Sequence, residues 1–457
     1  MPNDPSELLR QAHAYAERYV AGARDRRAFP DAASIAALAE LDGPLPDGPS
    51  DPETVLAQLD RVGSPATAAQ TGGRYFGFVT GGSLPVGLAA RWLGDAWDQN
   101  TAVSAMSPVA NKLEELCERW VAELLGLPAG TAAGFVTGTT LANVCALAAA
   151  RGELLARQGW NVAEAGLYGA PPIRLILGAD AHAAVKKALA LLGLGTERAE
   201  IVPVDDQGRM RLDRFPELDG EALVVTQAGN VNSGAFDPIG EVCERVHAAG
   251  GWVHVDGAFG LWAGASPSLA SLYGGIEQAD SWAADAHKTL NVPYDCGVVL
   301  CRHRAALVAA LGATAAYLEP GAERDGMCYT PSMSKRARAV ELWAVLRTLG
   351  RSGVAELVDR LCALARLFAE RLRAEGFDVL NEVCFNQVLA SCGDDHETTR
   401  TLAEVQASGE CWCGGSVWRG RQVIRVSVCS WATTEEDVER SVRAFVAARE
   451  RARAAAR

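Results

Sequence analysis

The sequence lacks the long apolar runs that membrane proteins need, and its start carries no secretory pattern. No uninterrupted apolar stretch reaches about 18 residues, the length that a membrane-spanning helix requires. Residues 1–5 contain no basic region followed by an apolar core, so we expect no signal peptide. These absences indicate a cytoplasmic protein with no membrane partner.

Basic charge and metal-binding motifs are also scarce. The chain has 56 acidic and 43 basic residues, a net charge of −13, and no dominant basic stripe, so we expect no nucleic-acid partner. Its 12 cysteines are scattered, which favours a reducing compartment over a disulfide framework. Cys411 and Cys413 form the closest pair, and no second pair with ligand spacing accompanies them, so we expect no metal site.

What is present fits a large globular protein. The 457 residues suggest two or three domains, and a composition of 49% apolar and 22% charged residues is that of a globular chain. Apolar residues between Leu8 and Val20 recur every three or four positions, which predicts an amphipathic helix whose apolar face needs a partner. Residues 42–52 are rich in proline, glycine and aspartate and indicate a linker.

The most informative stretch is DAHKT at residues 285–289. It follows a strand-like run that begins at Ala279, and it precedes a second apolar strand at residues 296–301. A lysine between buried strands is costly to keep charged and unpaired, so burial of Lys288 favours the neutral amine, which can form a Schiff base. The pattern alone also fits a surface lysine in a loop.

A second segment, 32 residues earlier, favours the first of these interpretations. The apolar run that starts at Trp252 ends in Asp256, and small residues follow. Open α/β sheets bind ligands at the carboxyl ends of their strands. A Schiff-base lysine combined with a buried carboxylate suits pyridoxal 5'-phosphate, because the acid keeps the ring nitrogen of the cofactor protonated.

The two motifs, HVDGA at residues 254–258 and DAHK at residues 285–288, resemble those of the group II pyridoxal-phosphate decarboxylases, the family of aromatic-L-amino-acid and glutamate decarboxylases. The resemblance extends from about residue 74 to residue 434. It implies an α/β fold of pyridoxal-phosphate transferase fold type I, similar to aspartate aminotransferase, with a mostly parallel sheet, helices on both faces and a smaller C-terminal α/β domain. The alternation of strand, turn and helix along the chain also favours such a sheet.

The resemblance further implies an organisation in three parts. Residues 1–73 are expected to form a helical dimerisation segment, residues 74–349 the large cofactor-binding domain, and residues 350–457 the small C-terminal domain. The N-terminal segment is expected to pack across a homodimer whose active sites lie at the interface. The expected partners are therefore a second copy of the chain and a small-molecule amino acid substrate.

Hydroxyl-bearing residues at a predicted helix start suggest where a phosphate group binds. Residues 135–143 change from strand-like to helical, and the free N–H groups and positive dipole of a helix start attract a phosphate. A simple N-cap would explain one threonine but not the whole cluster. The segment resembles the family's phosphate loop, with Thr139 and Thr140 at the contacting positions, but it carries Leu141 where many relatives have Glu.

The resemblance assigns the other cofactor contacts residue by residue. His182 matches the histidine that stacks on the cofactor ring and can move a proton, although a lone histidine is more often structural. Asn230 stands in a loop that faces the cofactor, where many relatives carry Thr. The full set of expected cofactor-binding residues is Lys288, Asp256, Ala258, His182, Thr139, Thr140, His287 and Asn230.

Catalysis is expected to involve Lys288, His182 and Tyr317. Tyr317 lies 29 residues after the lysine, ahead of a polar loop at residues 321–334 of the kind that often forms a lid. It matches the family tyrosine that returns a proton to the substrate after carbon dioxide leaves, and phenylalanine there is associated with aldehyde-forming relatives. An ordinary packed tyrosine is the alternative.

Two further segments are candidates for substrate binding. Arg425 alternates with apolar residues in a predicted strand at residues 422–428, where it is either an edge charge or the family arginine that binds the substrate α-carboxylate. The glycine-rich stretch at residues 74–82 is either a plain turn or a pocket wall, with Phe78, Val79 and Thr80 as side-chain contacts.

The predicted reaction is the conversion of an L-amino acid into an amine and carbon dioxide. The aromatic residues near Phe78 and Trp97 favour an aromatic substrate. Glutamate, aspartate or an aliphatic amino acid stays open, because a substrate-binding cation could come from the partner chain or the loop. The alternatives are a carbon–carbon lyase, a transaminase, an aldehyde synthase or a cofactor-binding relative without activity.

Overall fold

The computed structural model describes residues 5–312 and 324–455, which fall into two compact units. The first, here called the sheet unit, comprises Ser83–Ala363 and Asn381–Gln387. The second, here called the terminal unit, comprises Met1–Gly82, Leu364–Leu380 and Val388–Arg457. The three-part division predicted from the sequence, with boundaries after residues 73 and 349, stays a prediction.

Helices surround and connect the strands of the chain. The α-helices of the described residues are α1 (Pro5–Gly22), α2 (Ala32–Ala36), α3 (Pro52–Gln58), α4 (Pro85–Trp97), α5 (Pro108–Leu124), α6 (Thr139–Arg157), α7 (Val162–Ala165), α8 (Ala183–Leu191), α9 (Ile239–Ala248), α10 (Ala270–Tyr273), α11 (Arg304–Leu311), α12 (Ala339–Ala374), α13 (Asp395–Ser408) and α14 (Glu435–Ala454). Among these helices, none has the length and apolar character that crossing a membrane requires.

In the described part of the chain the strands form two sheets, one of seven strands and one of four. They are β1 (Ala132–Val136), β2 (Arg174–Gly178), β3 (Glu200–Val202), β4 (Ala222–Gln227), β5 (Trp252–Asp256), β6 (Ser281–Asp285), β7 (Gly297–Cys301), β8 (Asp378–Val379), β9 (Gln387–Ser391), β10 (Gly414–Trp418) and β11 (Arg421–Ser427). The two strands predicted around the lysine motif correspond to β6 and β7.

The seven-stranded sheet belongs to the sheet unit and is mostly parallel, as predicted. Its order is β1-β7-β6-β5-β4-β2-β3. Strands β3, β2, β4, β5 and β6 run parallel to one another. Strand β7 is antiparallel to both of its neighbours, β6 and β1. The link between β6 and β7 is therefore a short reversal of the chain, and this link carries Lys288.

The largely apolar sequences of the strands explain why this sheet is buried. Every residue of β1, β4, β5, β6 and β7 is buried, the pattern expected of a sheet that is covered on both faces. Leu147 and Leu154 of α6 share one apolar core with Leu177, Leu223 and Val299 of the strands. Helix α6 is thus held against the sheet with its first residue at the carboxyl ends of the parallel strands.

The long helix α12 begins at Ala339. Two of the residues before it form ion pairs: Lys335 Nζ lies 2.8 Å from Glu114 Oε1, and Arg336 Nη2 lies 2.9 Å from Asp295 Oδ1. Within α12 the helical backbone is interrupted at Gly350, whose φ of 61° is in the left-handed region.

The terminal unit contains the four-stranded sheet, in the order β10-β11-β9-β8, and the helices α13 and α14. Thr434 caps α14, and Asp437 completes a capping box with it. Helix α1 has no buried residue, and the side chains of Leu9 and Val20 are exposed. Leu9 and Val20 are therefore in contact with solvent, whereas Leu8, Tyr15 and Tyr19 are partly buried.

Candidate active site

Lys288 lies on the link between β6 and β7, close to the acid that ends β6. Its Nζ is 3.2 Å from Asp285 Oδ2, and the lysine side chain is only 20% exposed. The same carboxylate oxygen lies 3.5 Å from His287 Nε2. Asp285 itself is buried, so its carboxylate and the lysine amine are natural partners. The alternative of an exposed surface lysine is therefore excluded.

His287 is held as a neutral imidazole with one tautomer. Burial lowers the pKa of His287, and the nearby Asp285 carboxylate opposes this effect. The backbone N–H of Cys296 donates to His287 Nδ1 at 3.1 Å, which leaves the ring proton on Nε2, toward Asp285. The ring of Tyr294 lies against His287, with 4.2 Å between the ring centroids.

The start of α6 lies beside this link. Gly138 is the N-cap and supplies no side-chain cap, so the interpretation of one threonine as a simple N-cap was wrong. The backbone N–H of Thr139 donates to Asp285 Oδ1 at 2.7 Å. The hydroxyl Oγ1 of Thr139 is buried and has no hydrogen-bond partner among the described residues. Thr140, by contrast, is exposed.

Gly297 permits this close approach of helix and link. A Cβ added to Gly297 would lie 2.4 Å from the Cα of Gly138, a distance that real Cβ atoms do not reach. A Cβ on Gly138, by contrast, would make an ordinary contact with the ring of His287 at 3.4 Å. The helix start can therefore come this close to the link only because position 297 lacks a side chain.

Asp256 is the last residue of β5 and is 5% exposed. Its Oδ1 accepts a hydrogen bond from the backbone N–H of Ala258 at 3.3 Å, and its Oδ2 accepts one from Asn143 Nδ2 at 3.4 Å. Burial raises the pKa of Asp256, while the charges of His182 and Lys288 and these two donors oppose the rise. The acid predicted from the sequence is thus buried and under the electrostatic influence of the predicted lysine.

His182 and Asn230 also contribute to local structure. The N–H of Ala184 donates to His182 Nδ1 at 3.2 Å, so this exposed histidine caps α8. Asn230 is buried, and its Oδ1 accepts hydrogen bonds from the N–H groups of Asn232 and Ser233 at 2.9 and 3.2 Å. Both side chains shape the loops that carry them, and the predicted cofactor contacts of His182 and Asn230 stay predictions.

Two residues of the site were missed in the sequence. Asp285 belongs to the DAHKT motif, and the available signal for its ion pair was an acid three residues before the lysine. Asn143 joins Asp256 to His254, whose Nε2 lies 2.9 Å from Asn143 Oδ1. The available signal was a polar residue four positions after Thr139, on the face of α6 that packs on the sheet.

In the terminal unit, the glycine-rich stretch presents an exposed aromatic ring. Phe78 and Val79 both have left-handed φ values, 54° and 57°, which cost energy for side chains of these types. Phe78 is 64% exposed, and its ring centroid lies 5.3 Å from that of Trp412. Trp412 stacks on Tyr75 at 5.0 Å, while Val79 and Thr80 are buried.

Arg425 lies on β11, which is an interior strand between β10 and β9, so the interpretation as an edge charge was wrong. Among the described residues it forms no ion pair, and its Nε is buried without a hydrogen-bond partner. Burial lowers the pKa of the guanidinium group. A partly buried cation in this state is costly, which makes it a candidate for binding an anion.

Two further predictions from the sequence concern the catalytic role of Tyr317 and the absence of a metal site. Tyr317 belongs to residues 313–323 and lies outside the described residues. Within residues 5–312 and 324–455, no cluster of three or more His, Cys, Asp or Glu side chains could hold a metal ion.

Sequence comparison relates most of the chain to one family of enzymes. Residues 38–391 match the model of the pyridoxal-dependent decarboxylase conserved domain. The acidic amino acid decarboxylase GADL1 of Mus musculus is 31% identical over 332 residues, which cover 68% of this chain and 60% of that protein. Tyrosine decarboxylase 2 of Narcissus pseudonarcissus is 26% identical over 434 residues, 88% of this chain and 85% of that protein. The chain thus spans about three fifths of the mouse relative.

Structural comparison confirms the predicted fold. The crystal structure of Oryza sativa TDC with PLP and tryptamine superposes with a TM-score of 0.90 at 21% identity and covers 99% of both chains. The crystal structure of mouse CSAD superposes with a TM-score of 0.89 at 22% identity and covers 98% of this chain and 99% of that one.

Proposed function

The chain belongs to the pyridoxal-dependent decarboxylase family, and on that premise we propose that it converts an L-amino acid into the amine and carbon dioxide. Pyridoxal phosphate is the cofactor of the family. The observation that carries the proposal is that an amine and a buried acid both lie at the carboxyl ends of adjacent strands. Lys288 follows β6, Asp256 ends β5, and the charge of the lysine acts on the buried acid.

The residues of the sheet unit fit this cofactor. A phosphate group would supply the partner that the buried Thr139 hydroxyl lacks among the described residues, with Thr140 and His287 as further contacts. Lys288 would hold the cofactor by its amine, and Asp256 would face the ring nitrogen. His182 would stack on the ring, with Ala258 and Asn230 as additional contacts.

When bound, pyridoxal phosphate supplies the electron-accepting ring that takes up the electrons of the breaking bond between Cα and the carboxylate. The protein selects that bond by orienting the substrate. Asp256 would stabilise positive charge on the ring nitrogen, because a carboxylate about 3 Å from a cation at an effective dielectric of about 20 attracts it by roughly 5 kcal/mol. His182 would position the ring and move protons at its face.

For Arg425 we propose the role of binding the substrate α-carboxylate, supported by its partly buried guanidinium group without an ion partner among the described residues. Arg425→Met is expected to lower kcat/KM by roughly 10- to 100-fold, because a charge-assisted hydrogen bond is worth about 1.5–3 kcal/mol. The kcat/KM of Arg425→Lys should lie between those of the wild type and Arg425→Met, since lysine keeps the charge but not the two-pronged set of donors. Steady-state kinetics with the preferred substrate measures both.

A matched control is available on the same strand. Arg421 lies at the start of β11, is 41% exposed and pairs with Asp378. Arg421→Met should leave kcat/KM unchanged. An Arg425→Met enzyme with wild-type kcat/KM would show that another cation binds the carboxylate.

Tyr317, we propose, returns the proton to Cα after carbon dioxide leaves, on the strength of the resemblance alone. Tyr317→Phe is therefore expected to reduce amine formation strongly and to shift product toward the aldehyde. Quantifying amine, aldehyde and carbon dioxide in one reaction measures the shift. Tyr168→Phe, at a tyrosine that is 99% exposed, is the control and should change nothing. Full amine formation by the Tyr317→Phe enzyme would contradict this role and would leave the competing lyase and aldehyde-synthase reactions open.

The side chain of the substrate is proposed to contact Phe78, Val79 and Thr80. An exposed phenylalanine braced by Trp412 suits an aromatic or other apolar substrate side chain. The relatives include decarboxylases of acidic amino acids and of tyrosine, which matches both possibilities. Between these we retain the aromatic substrate as the first candidate and an acidic one as the second.

Assembly and location are also proposals. A homodimer is supported by α1, which buries no residue and exposes Leu9 and Val20. A reducing compartment such as the cytoplasm is supported by the 12 cysteines, all of which are free thiols.

One experiment tests the function as a whole. The protein is loaded with pyridoxal phosphate and incubated with the twenty common amino acids, cysteine sulfinate and DOPA, and carbon dioxide, amine, aldehyde and keto acid are measured together. Amine with equimolar carbon dioxide from one substrate would support the proposal and identify the substrate. Keto acid or aldehyde without amine would contradict it. Cofactor binding without any product would favour a relative that binds the cofactor without turnover.

A further inference from the structure

A chain of hydrogen bonds runs through the core of the sheet unit and ends on Asp256. Trp252 Nε1 donates to Ser281 Oγ at 2.9 Å, and Ser281 Oγ lies 2.9 Å from His254 Nδ1. His254 Nε2 lies 2.9 Å from Asn143 Oδ1, and Asn143 Nδ2 donates to Asp256 Oδ2 at 3.4 Å. All five side chains are buried, so each depends on its neighbours for hydrogen bonds.

The chemistry of the two ends gives the chain a single direction. The carboxylate of Asp256 accepts from the NH₂ group of Asn143, so Asn143 Oδ1 faces His254 and can only accept. The neutral imidazole of His254 therefore carries its proton on Nε2 and accepts at Nδ1. Ser281 Oγ accepts from Trp252 and donates its own proton to His254 Nδ1.

The fold holds this chain in register. His254 and Ser281 are directly paired across the parallel strands β5 and β6. Asn143 lies one helical turn after Thr139, on the same face of α6. Burial lowers the pKa of His254 to about 3, so its ring stays neutral at physiological pH and the tautomer is maintained.

We propose that Asn143 is a positioning residue for Asp256, and that the Trp252–Ser281–His254 chain fixes the orientation of its amide. This inference rests on the proposed function, in which the carboxylate of Asp256 faces the ring nitrogen of the cofactor. Without His254 as donor, the amide of Asn143 is free to rotate and present its oxygen to the acid. The hydrogen bonds of Trp252, Ser281 and His254 thus keep the NH₂ group of Asn143, and not its oxygen, beside Asp256.

Besides Asn143, three groups of the described residues act on the carboxylate of Asp256. The backbone N–H of Ala258 donates to Oδ1, and His182 and Lys288 are the charged or titratable groups that act on the carboxylate. None of them contacts Oδ2 in place of Asn143 among the described hydrogen bonds. Losing the Asn143 donor should therefore favour the neutral acid, with no substitute nearby.

The inference is tested first on the cofactor-free protein, by thermal unfolding as a function of pH. The pKa of Asp256 is raised in the folded state, so its contribution to stability is present at low pH and is lost as the pH rises through that pKa. In Asn143→Leu and His254→Leu, this loss should move to higher pH by about one unit. In His254→Gln, an amide N–H can replace Nε2–H, and the wild-type pH dependence should return.

The second readout is the affinity for pyridoxal phosphate near pH 7, measured by absorbance titration. Asn143→Leu and His254→Leu should bind about tenfold more weakly, the equivalent of one pKa unit, and His254→Gln should bind like the wild type. Asn381→Leu is the matched control. Asn381 is a buried asparagine of the same unit that donates to the carbonyl groups of Ser233 and Gln387. It should lower stability equally at every pH.

The outcomes separate this inference from the proposed function. The inference is overturned if the pH dependence of unfolding and the cofactor affinity change no more in Asn143→Leu and His254→Leu than in Asn381→Leu. It is also overturned if His254→Gln shows the same changes as His254→Leu. If the leucine variants do not fold, Ser281→Ala decides. It removes the hydroxyl that accepts from Trp252 and donates to His254 but leaves His254 Nε2 in place, so it should give a smaller shift of the same sign. No shift in Ser281→Ala would overturn the inference. A wild type without decarboxylase activity would refute the function while the pH shifts still support the role of Asn143.

Discussion

Lys288→Ala is expected to lose decarboxylation by roughly 10³-fold or more in kcat, the largest effect of any single substitution in this chain. The amine lies 3.2 Å from Asp285 Oδ2, only 20% of the side chain is exposed, and residues 286–296, which link β6 to β7, contain no other lysine. Carbon dioxide release from the cofactor-loaded variant measures the loss. Its absorbance spectrum reports separately whether the cofactor is still bound.

Two controls separate the chemistry of Lys288 from its charge. Lys288→Arg keeps a cation beside Asp285 but cannot form a Schiff base, so it should be as inactive as Lys288→Ala while recovering more of the folding stability. Lys187→Ala removes an exposed lysine of α8 and should be fully active. Reduction of the loaded wild type with borohydride, followed by peptide mass mapping, should label Lys288 alone. Substantial activity in Lys288→Arg, or label on another lysine, would contradict the assignment.

The strands of the sheet unit were predictable because their burial follows directly from their sequence. Runs such as those ending in Asp256 and Asp285 are mostly apolar and are buried at every residue, as expected of strands covered on both faces. The polar residues at their ends could then be assigned to one edge of the sheet, since parallel strands present their carboxyl ends together. What periodicity could not predict was the antiparallel direction of β7, which depends on how a short link closes.

The partners of each side chain were beyond the reach of the sequence. Asn143, His254 and Ser281 lie far apart along the chain, and only the register of β5 against β6 and the seating of α6 bring them into contact. Likewise, an arginine within a strand pattern fits an edge as well as an interior strand, and only the order of the sheet identifies Arg425 as interior. Patterns predict which face a residue occupies, whereas hydrogen-bond partners require tertiary structure.

Asp256→Asn is expected to lower kcat by roughly 10²- to 10³-fold and, at the same time, to stabilise the cofactor-free protein near neutral pH. Activity falls because the neutral amide cannot stabilise a positive ring nitrogen. Stability rises because burial raises the pKa of Asp256, and each unit of that rise costs about 1.4 kcal/mol once the acid is ionised. The favourable contribution exists below the unfolded pKa of about 3.9 and is lost as the pH rises through the folded pKa. The variant should therefore show a flatter dependence of unfolding temperature on pH.

Asp280→Asn is a control in the same sheet, and its expected effect on stability at neutral pH is opposite to that of Asp256→Asn. Asp280 directly precedes β6, at the other end of the sheet from Asp256, and lies 2.9 Å from both His247 Nε2 and His303 Nε2. Although burial alone would raise it, these histidines and the N–H of Val253 hold the pKa of Asp280 down to about 2. Its contribution is present above the unfolded pKa and is lost as the pH falls through about 2, so Asp280→Asn should destabilise the protein at neutral pH and leave cofactor affinity unchanged. If Asp256→Asn instead destabilises the cofactor-free protein like Asp280→Asn, the buried acid contributes to folding, and its retention needs no functional explanation.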